Sequence, residues 1–290
     1  MPYNSVFKDG LFEGQSVIVT GGGSGIGRCT AHELIALGAK VALVGRRLDR
    51  LETVAAEIAA EGGQADCYAC DIRVEDEVQS TIAAILDAHG RIDGLVNNAG
   101  GQFPALLKDI SQKGWETVVR SNLTGGFLMA RECYNQWMAD HGGAIVNITA
   151  DIVGGMPRMG HSGAARAGME NLTETAATEW AQSGVRVNSV APGYVASSGM
   201  DTYDDATSDE MRGWKNFVPL RRHGDVAEVS AAIVFLLCEA AAFISGACIR
   251  VDGGAPGARR NWDLPDHKNA PTFDGFHLEH TANIVKDDAG

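Results

Sequence analysis

The chain has 290 residues, of which 45% are hydrophobic and 36 are glycine, and a formal net charge of −13. That length is near the upper limit for one hydrophobic core, and no Pro/Ser-rich linker, repeat or charge run divides it. The acidic balance argues against nucleic acid and anionic membrane surfaces as partners, and the longest apolar stretch, AAIVFLLC, is far too short to span a bilayer.

The opening MPYNSVFKDG lacks the basic and apolar regions of a secretory signal. Residues 1–14 read as an N-terminal extension. The β-branched run SVIVTG then predicts a strand, followed by a helix from about Ile26 to Leu37 that stops at Gly38. KVALVG predicts the second strand, Leu48 to Ala60 a helix, ADCYAC a strand, and Glu75 to Ala88 a helix. Strand GLVNN and helix Trp115 to Ala139 continue the alternation. Strand AIVNIT, helix Gly163 to Gln182, strand VRVNSV, helix Val226 to Glu239 and strand ACIRV complete it. Parallel neighbours need helical crossovers, so this rhythm predicts an α/β fold. The expected architecture is a single Rossmann-like doubly wound domain over residues 15–254, a seven-stranded parallel sheet with helices on both faces. Its ligand belongs beyond the carboxyl ends of the strands.

Six cysteines at irregular spacing suit a reduced interior. Cys67 and Cys70 form a C-x-x-C inside a predicted strand with no second Cys/His pair nearby, so no metal site is expected.

The first strand ends in TGGGSGIG, residues 20–27. Gly21 permits a sharp turn, Gly25 lets the backbone approach a pyrophosphate, and Gly27 allows close helix packing, while Ser24 and Ile26 complete the loop. The second strand ends in VGRRLDR, with Gly45 where an acid for a ribose 2′-hydroxyl would stand. Arg46 and Arg47 follow, and guanidinium groups suit a 2′-phosphate, which points to NADP(H) over NAD. Asp71, with Ile72 beside it, is placed for the adenine edge.

Across almost its whole length the chain resembles the short-chain dehydrogenase/reductase family. The likeness rests on TGGGSGIG, NNAG at residues 97–100, Asn122 in SNLTG, IVNIT, and RVNSVAPGYV at residues 186–195. It implies that Asn98, Ala99 and Gly100 floor the cofactor site, that Asn122 belongs to the active site, and that Pro192, Gly193 and Val195 meet the nicotinamide. Ser197 occupies a slot where members often have threonine. The resemblance also makes residues 197–224 a variable lid and 255–290 a C-terminal tail.

One segment departs from the family. In most members a tyrosine acidified by a neighbouring lysine moves the substrate's proton. Aligning RAG here with the usual KAG puts Arg166 at the lysine and Ser162 at the tyrosine, while Thr149 or Ala150 stands where a serine would be. Arginine stays protonated and a serine hydroxyl is a poor acid, so ordinary alcohol/ketone chemistry is disfavoured. NNAGGQF, HGGAIVNI, HSGAARAG and ATEWA, with VDGG followed by DLPDH, resemble peroxisomal trans-2-enoyl-CoA reductases, and IVNITA with AATEWA is similar to 2,4-dienoyl-CoA reductases.

This narrower resemblance implies NADPH-dependent reduction of an activated carbon-carbon double bond in an acyl-CoA. Such a reaction needs hydride at one carbon, hydrogen bonds to an enolate oxygen, and a proton elsewhere. The resemblance places a proton-delivering side chain four residues after Arg166, at Glu170. Ser162, Arg166 and Glu170 are spaced to share one helical face, so the expected catalytic set is Asn122, Ser162, Arg166 and Glu170. Thr149, Asp151 and His161 are expected near the substrate, and Asp151 or His161 is an alternative acid or base.

The lid sequence DTYDDATSDEMRGWKNF is acidic in its first half, whereas Arg158, Arg212, Lys215, Arg221, Arg222, Arg259 and Arg260 are candidates for a basic mouth. Two other readings stay open: a dehydrogenase of an uncharged, hydrophobic alcohol such as a terpenoid, and a cofactor-binding protein with little turnover. The family resemblance implies a homotetramer or homodimer. The ending DDAG is no peroxisomal address, and a cytoplasmic enzyme is expected.

Overall fold

The computed structural model describes residues 3–202, 205–258, 264–273, 275–278 and 280–285. Arg259, Arg260 and Trp262 lie outside the described residues, as does the DDAG end. The strands are β1 (Ser16–Thr20), β2 (Lys40–Gly45), β3 (Ala65–Ala69), β4 (Gly94–Asn97), β5 (Gly143–Ile148), β6 (Val185–Pro192) and β7 (Cys248–Val251), the inner ones buried runs rich in Val, Ile and Leu and the edge strands β3 and β7 more exposed. They make one seven-stranded sheet in the order β3-β2-β1-β4-β5-β6-β7. Every pairing is parallel.

The connections are helical: α1 (Gly25–Ala36), α2 (Leu48–Ala60), α3 (Glu75–His89), α4 (Gln112–Val119), α5 (Gly125–Cys133), α6 (Ala139–His141), α7 (Gly160–Glu179), α8 (Asp205–Gly213) and α9 (Val226–Leu237). The strands' alternation sends Val17, Val19, Val41, Leu43 and Val146 to one face, against Leu34 of α1 and Ile233 and Leu237 of α9. Ile18, Ala42, Val44, Leu95 and Ile145 go to the other face, against Val78, Ile82 and Ile85 of α3 and Met129 of α5. With both faces covered, the central strands read as continuous apolar runs.

Two elements differ from the expected bounds. The helix predicted from Trp115 to Ala139 begins at Gln112, where the Ser111 hydroxyl caps the Gly114 amide at 3.1 Å. It is broken by two π-helical turns, Arg120–Thr124 and Tyr134–Met138. The helix predicted from Gly163 starts three residues earlier, at Gly160, after the left-handed turn at Arg158 (φ 64°).

The N-terminal extension joins the core through Tyr3 and Phe12. The tail does so through Phe276, and Ala282 and Ile284 pack on Ala196 and Met211. Among the described residues no helix is long and apolar enough to cross a membrane. Strand order reverses between β1 and β4, so the loops after these two strands part at their carboxyl ends and open a crevice there.

Candidate active site

The crevice is held open by a small polar knot. Thr20 Oγ1 donates to the Val96 carbonyl at 3.1 Å and accepts from the amides of Asn98 and Ala99, both at 3.0 Å. Asn98 Nδ2 donates back to the Thr20 carbonyl at 3.0 Å. Gly21 leaves the strand at φ 67°, and a Cβ there would lie 2.8 Å from Asn98 Nδ2 and 3.0 Å from the Ala99 Cα. Only glycine fits both the turn and the contact.

Gly21, Ser24, Arg46, Arg47, Asp71 and Gly100 all line this crevice. Arg50 and Arg73 line it too; the sequence reading missed both. Arg73 grips Asp71 with Nε at 2.8 Å and Nη2 at 2.5 Å. That grip holds the Asp71 carboxyl below the usual carboxylate range, helped by the charge on Arg46. Ile72 is buried beneath, its side chain 2.6 Å from where a Cβ on Gly125 would stand.

The predicted nicotinamide contacts lie at the end of β6. The Gly193 amide donates to the Val251 carbonyl at 2.9 Å, and Val195 bridges to Gly224. Ser197 faces the glycine loop, with its Cβ 3.8 Å from a Cβ built on Gly25. A dinucleotide fits this arrangement: a glycine turn at a helix start receives phosphates, and the arginines supply positive charge. Further in, the buried Nε of Arg166 has no protein partner among the described residues.

Deeper along the crevice, four polar groups converge. Asn122, brought inward by the first π turn and 2% exposed, accepts the Gly101 amide on Oδ1 at 2.8 Å. Its Nδ2 reaches Ser162 Oγ at 3.5 Å. Ser162, fully buried in the first turn of α7, donates to Gln102 Oε1 at 2.6 Å. Gln102, unlike Ser162, is exposed. Sequence reasoning gave it no role, although it sits two residues past NNAG.

One turn along α7, Arg166 Nη1 donates to the Ile148 carbonyl at 2.5 Å. Desolvation lowers this guanidinium to about 10, which leaves it protonated at neutral pH. Gly100 must lie against it: an added Cβ would stand 2.7 Å from both Arg166 Nη2 and Asn122 Oδ1.

The other candidates separate. Glu170 does not join Ser162 and Arg166: its carboxylate accepts from Thr149 Oγ1 at 3.3 Å and Cys248 Sγ at 3.6 Å. Thr149, 3% exposed, also bonds the Val190 carbonyl at 3.3 Å, so its hydroxyl is occupied inside the sheet. His161 is fully buried. Its Nδ1 accepts the Ser162 amide at 2.9 Å and its ring meets Phe103 edge-on at 4.5 Å.

Asp151 is half-buried, with its backbone amide bonded to the Pro192 carbonyl at 3.1 Å. Desolvation raises its carboxyl above the usual range and the charge of Asp252 adds to this, against the Val153 amide and Arg250. Ala150, beside it, supplies no hydroxyl where a serine would stand.

The expected basic mouth is largely neutralised. Arg158 pairs with Glu210 at 2.5 Å and Arg222 with Glu228 at 2.6 Å, while Arg212 pairs with Asp209 and Arg221 with Asp266. Exposed apolar side chains stand on the loops after β4 and β5: Phe103, Leu106, Leu107 and Val153. The two loops are tied by the Ala105 amide, which donates to the Arg158 carbonyl at 2.8 Å.

A parallel sheet of this order, with a glycine loop at its switch point, defines a dinucleotide-binding oxidoreductase fold. A family model described as enoyl-(acyl carrier protein) reductase matches residues 21–256. The peroxisomal 2,4-dienoyl-CoA reductase of Danio rerio is 33% identical over 258 residues, covering 87% of this chain and 85% of that protein. A 3-oxoacyl-[acyl-carrier-protein] reductase of Synechocystis is 38% identical over 244 residues, 83% of this chain and 96% of that one. A solved structure described as a citronellol catabolism dehydrogenase of Pseudomonas aeruginosa is 58% identical, with a TM-score of 0.80 over 88% of this chain and all of that one. The chain belongs to the short-chain dehydrogenase/reductase family and is an oxidoreductase that works with a nicotinamide dinucleotide on a small-molecule substrate.

Proposed function

We propose that this enzyme uses NADPH to reduce a carbon-carbon double bond conjugated to a thioester carbonyl, as in an enoyl-CoA or dienoyl-CoA. One observation carries the reading. Where an acidified hydroxyl would protonate an alkoxide, the chain has a fully buried serine hydrogen-bonded to two side-chain amides. The residues beside the crevice can steady a negative oxygen, and the serine at the tyrosine's place offers no acidified hydroxyl beside it to protonate an alkoxide.

Gly45 at the end of β2, with Arg46 and Arg47 lining the crevice, suits a 2′-phosphate. The nicotinamide, when bound, supplies a hydride. Arg166 holds a fixed positive charge beneath Gly100, and Asn122 orders the backbone at Gly101. We assign the remaining proton to Asp151, on the loop after β5 and bonded through its amide to the Pro192 carbonyl at the end of β6; burial raises its carboxyl, while Glu170 is tied to Thr149 and His161 is enclosed.

The test is NADPH consumption with crotonyl-CoA and with a 2,4-dienoyl-CoA. The Arg46→Ala/Arg47→Ala double variant is expected to lose about 10- to 100-fold in kcat/KM for NADPH while NADH is little affected. A wild-type enzyme that ignored both thioesters and reduced NADP with citronellol would replace this reading by a second one, the oxidation of a hydrophobic alcohol with Asp151 as base. The exposed apolar residues Phe103, Leu106, Leu107 and Val153 favour that alternative, as does the likeness to the citronellol catabolism dehydrogenase.

A further inference from the structure

We propose that Gln102 is a catalytic residue whose side-chain amide donates a hydrogen bond to the substrate's carbonyl oxygen, from beside the position that a tyrosine holds in most of the family. The proposal rests on the thioester reading above and adds the group that would steady its enolate.

Hydrogen-bond directions assign the amide. Asn122 Oδ1 is taken by the Gly101 amide at 2.8 Å, so Nδ2 is the end turned to Ser162, and Nδ2 can only donate. Ser162 accepts from it and sends its single proton on to Gln102 at 2.6 Å. The Gln102 atom that receives a proton must be Oε1, and Nε2 with its two hydrogens is left directed away from the serine. No acceptor for Nε2 is found among the described residues. The chain of groups therefore runs one way, from the Gly101 amide through Asn122 and Ser162 to Gln102, and ends in two unused N–H groups on an exposed side chain. Such a chain polarises its last donor.

Position and rigidity agree with this assignment. Serine is far shorter than tyrosine, and Gln102 reaches back to it from the opposite loop at 2.6 Å. That loop is fixed before and after Gln102: the Gly101 amide is on Asn122, Phe103 lies edge-on to the buried His161 ring at 4.5 Å, and the Ala105 amide is on the Arg158 carbonyl at 2.8 Å. A donor held this way needs little reorganisation when charge develops.

The balance of the step is simple. Hydride adds to the far carbon of the double bond, the π electrons move to the carbonyl oxygen, and the Gln102 N–H holds that oxygen. The carbonyl re-forms as the neighbouring or terminal carbon takes a proton from the acid. The amide loses nothing. Because it has no acidic proton, it assists an enolate and does not protonate an alkoxide, which favours C=C over C=O reduction.

The experiment compares wild type, Gln102→Ala, Gln102→Glu and Ser162→Ala with crotonyl-CoA, alongside NADPH titration and thermal midpoints. Gln102→Ala is expected to lose about 100-fold in kcat, with KM and NADPH affinity within about two-fold. Gln102→Glu falls at least as far, since a carboxylate offers no donor. Ser162→Ala keeps the amide but loosens it, and loses about 10-fold. Unchanged kcat in folded Gln102→Ala, with wild type active on the thioester, overturns the role of Gln102 alone. If wild type leaves thioesters untouched, the reading of the reaction falls and this role falls with it.

Discussion

A guanidinium at position 166 cannot trade protons near neutral pH, and with serine at position 162 in place of a tyrosine the proposed reaction must draw its acid from elsewhere. In the proposed reaction that acid is Asp151, whose carboxyl is raised by desolvation and the neighbouring Asp252 charge. An acid must be protonated to act, so kcat should fall as pH climbs above the raised Asp151 value, and Asp151→Asn should lower kcat by about 100-fold and abolish that limb. A pH-rate profile of the two enzymes checks it. A limb that persists in the variant moves the proton to another group. Glu170, the acid the family resemblance implies, shows what spacing alone leaves out. Its spacing from Arg166 correctly places the two one turn apart on α7, but helical periodicity says nothing of what a face meets. The deciding partners, Thr149 and Cys248, are 21 and 78 residues away.

Strands and glycine turns were legible because each is a local signal: a buried β-branched run, or a glycine forced by φ. The π turn at Arg120–Thr124 was not, since a single wide turn leaves no periodicity to read, yet it carries Asn122 inward. Losing Asn122 removes the bonds that organise both Gly101 and Ser162. Asn122→Ala should therefore reduce kcat by about 100-fold and speed amide exchange across residues 101–105, measured by hydrogen exchange. Equal exchange in both proteins would refute the bracing role. Gln102 was overlooked for a related reason: its meaning depends on a hydroxyl 60 residues away.

At the scale of the molecule, stability at mildly acidic pH hangs on two enclosed imidazoles. His89, with no exposed side chain, bonds Ser16 Oγ at 2.7 Å and Asp66 at 2.9 Å. Burial keeps it below its ordinary 6.5 despite Asp66. His32 is lowered in the same way, desolvation outweighing Glu57 and Glu61. A group lowered on folding contributes stability above its unfolded value, and that stability is lost as pH falls. The thermal midpoint should drop between about pH 7.5 and about pH 5.5, and His89→Gln should flatten the drop. A slope unchanged in the variant would exclude His89.

The tail binds distant parts together. Phe276 is 2% exposed, packs 5.0 Å from His32 and lies under Arg28 at 4.9 Å. Further on, Asn283 and His280 bond Asp201, in the segment after β6 that the family resemblance makes a lid. Phe276→Ala should cost about 3–5 kcal/mol by denaturant titration and raise KM as the lid loosens.

Arg28 in α1 donates to the Leu278 carbonyl across 250 residues of sequence. During synthesis, then, the helix that follows the glycine loop leaves the ribosome some 250 residues before the segment that covers it. Until that segment emerges, this flank of the nascent protein stays bare and Asp201 lacks its partners, so a chain stalled short of residue 278 is exposed to aggregation and proteolysis in a way the folded enzyme is not.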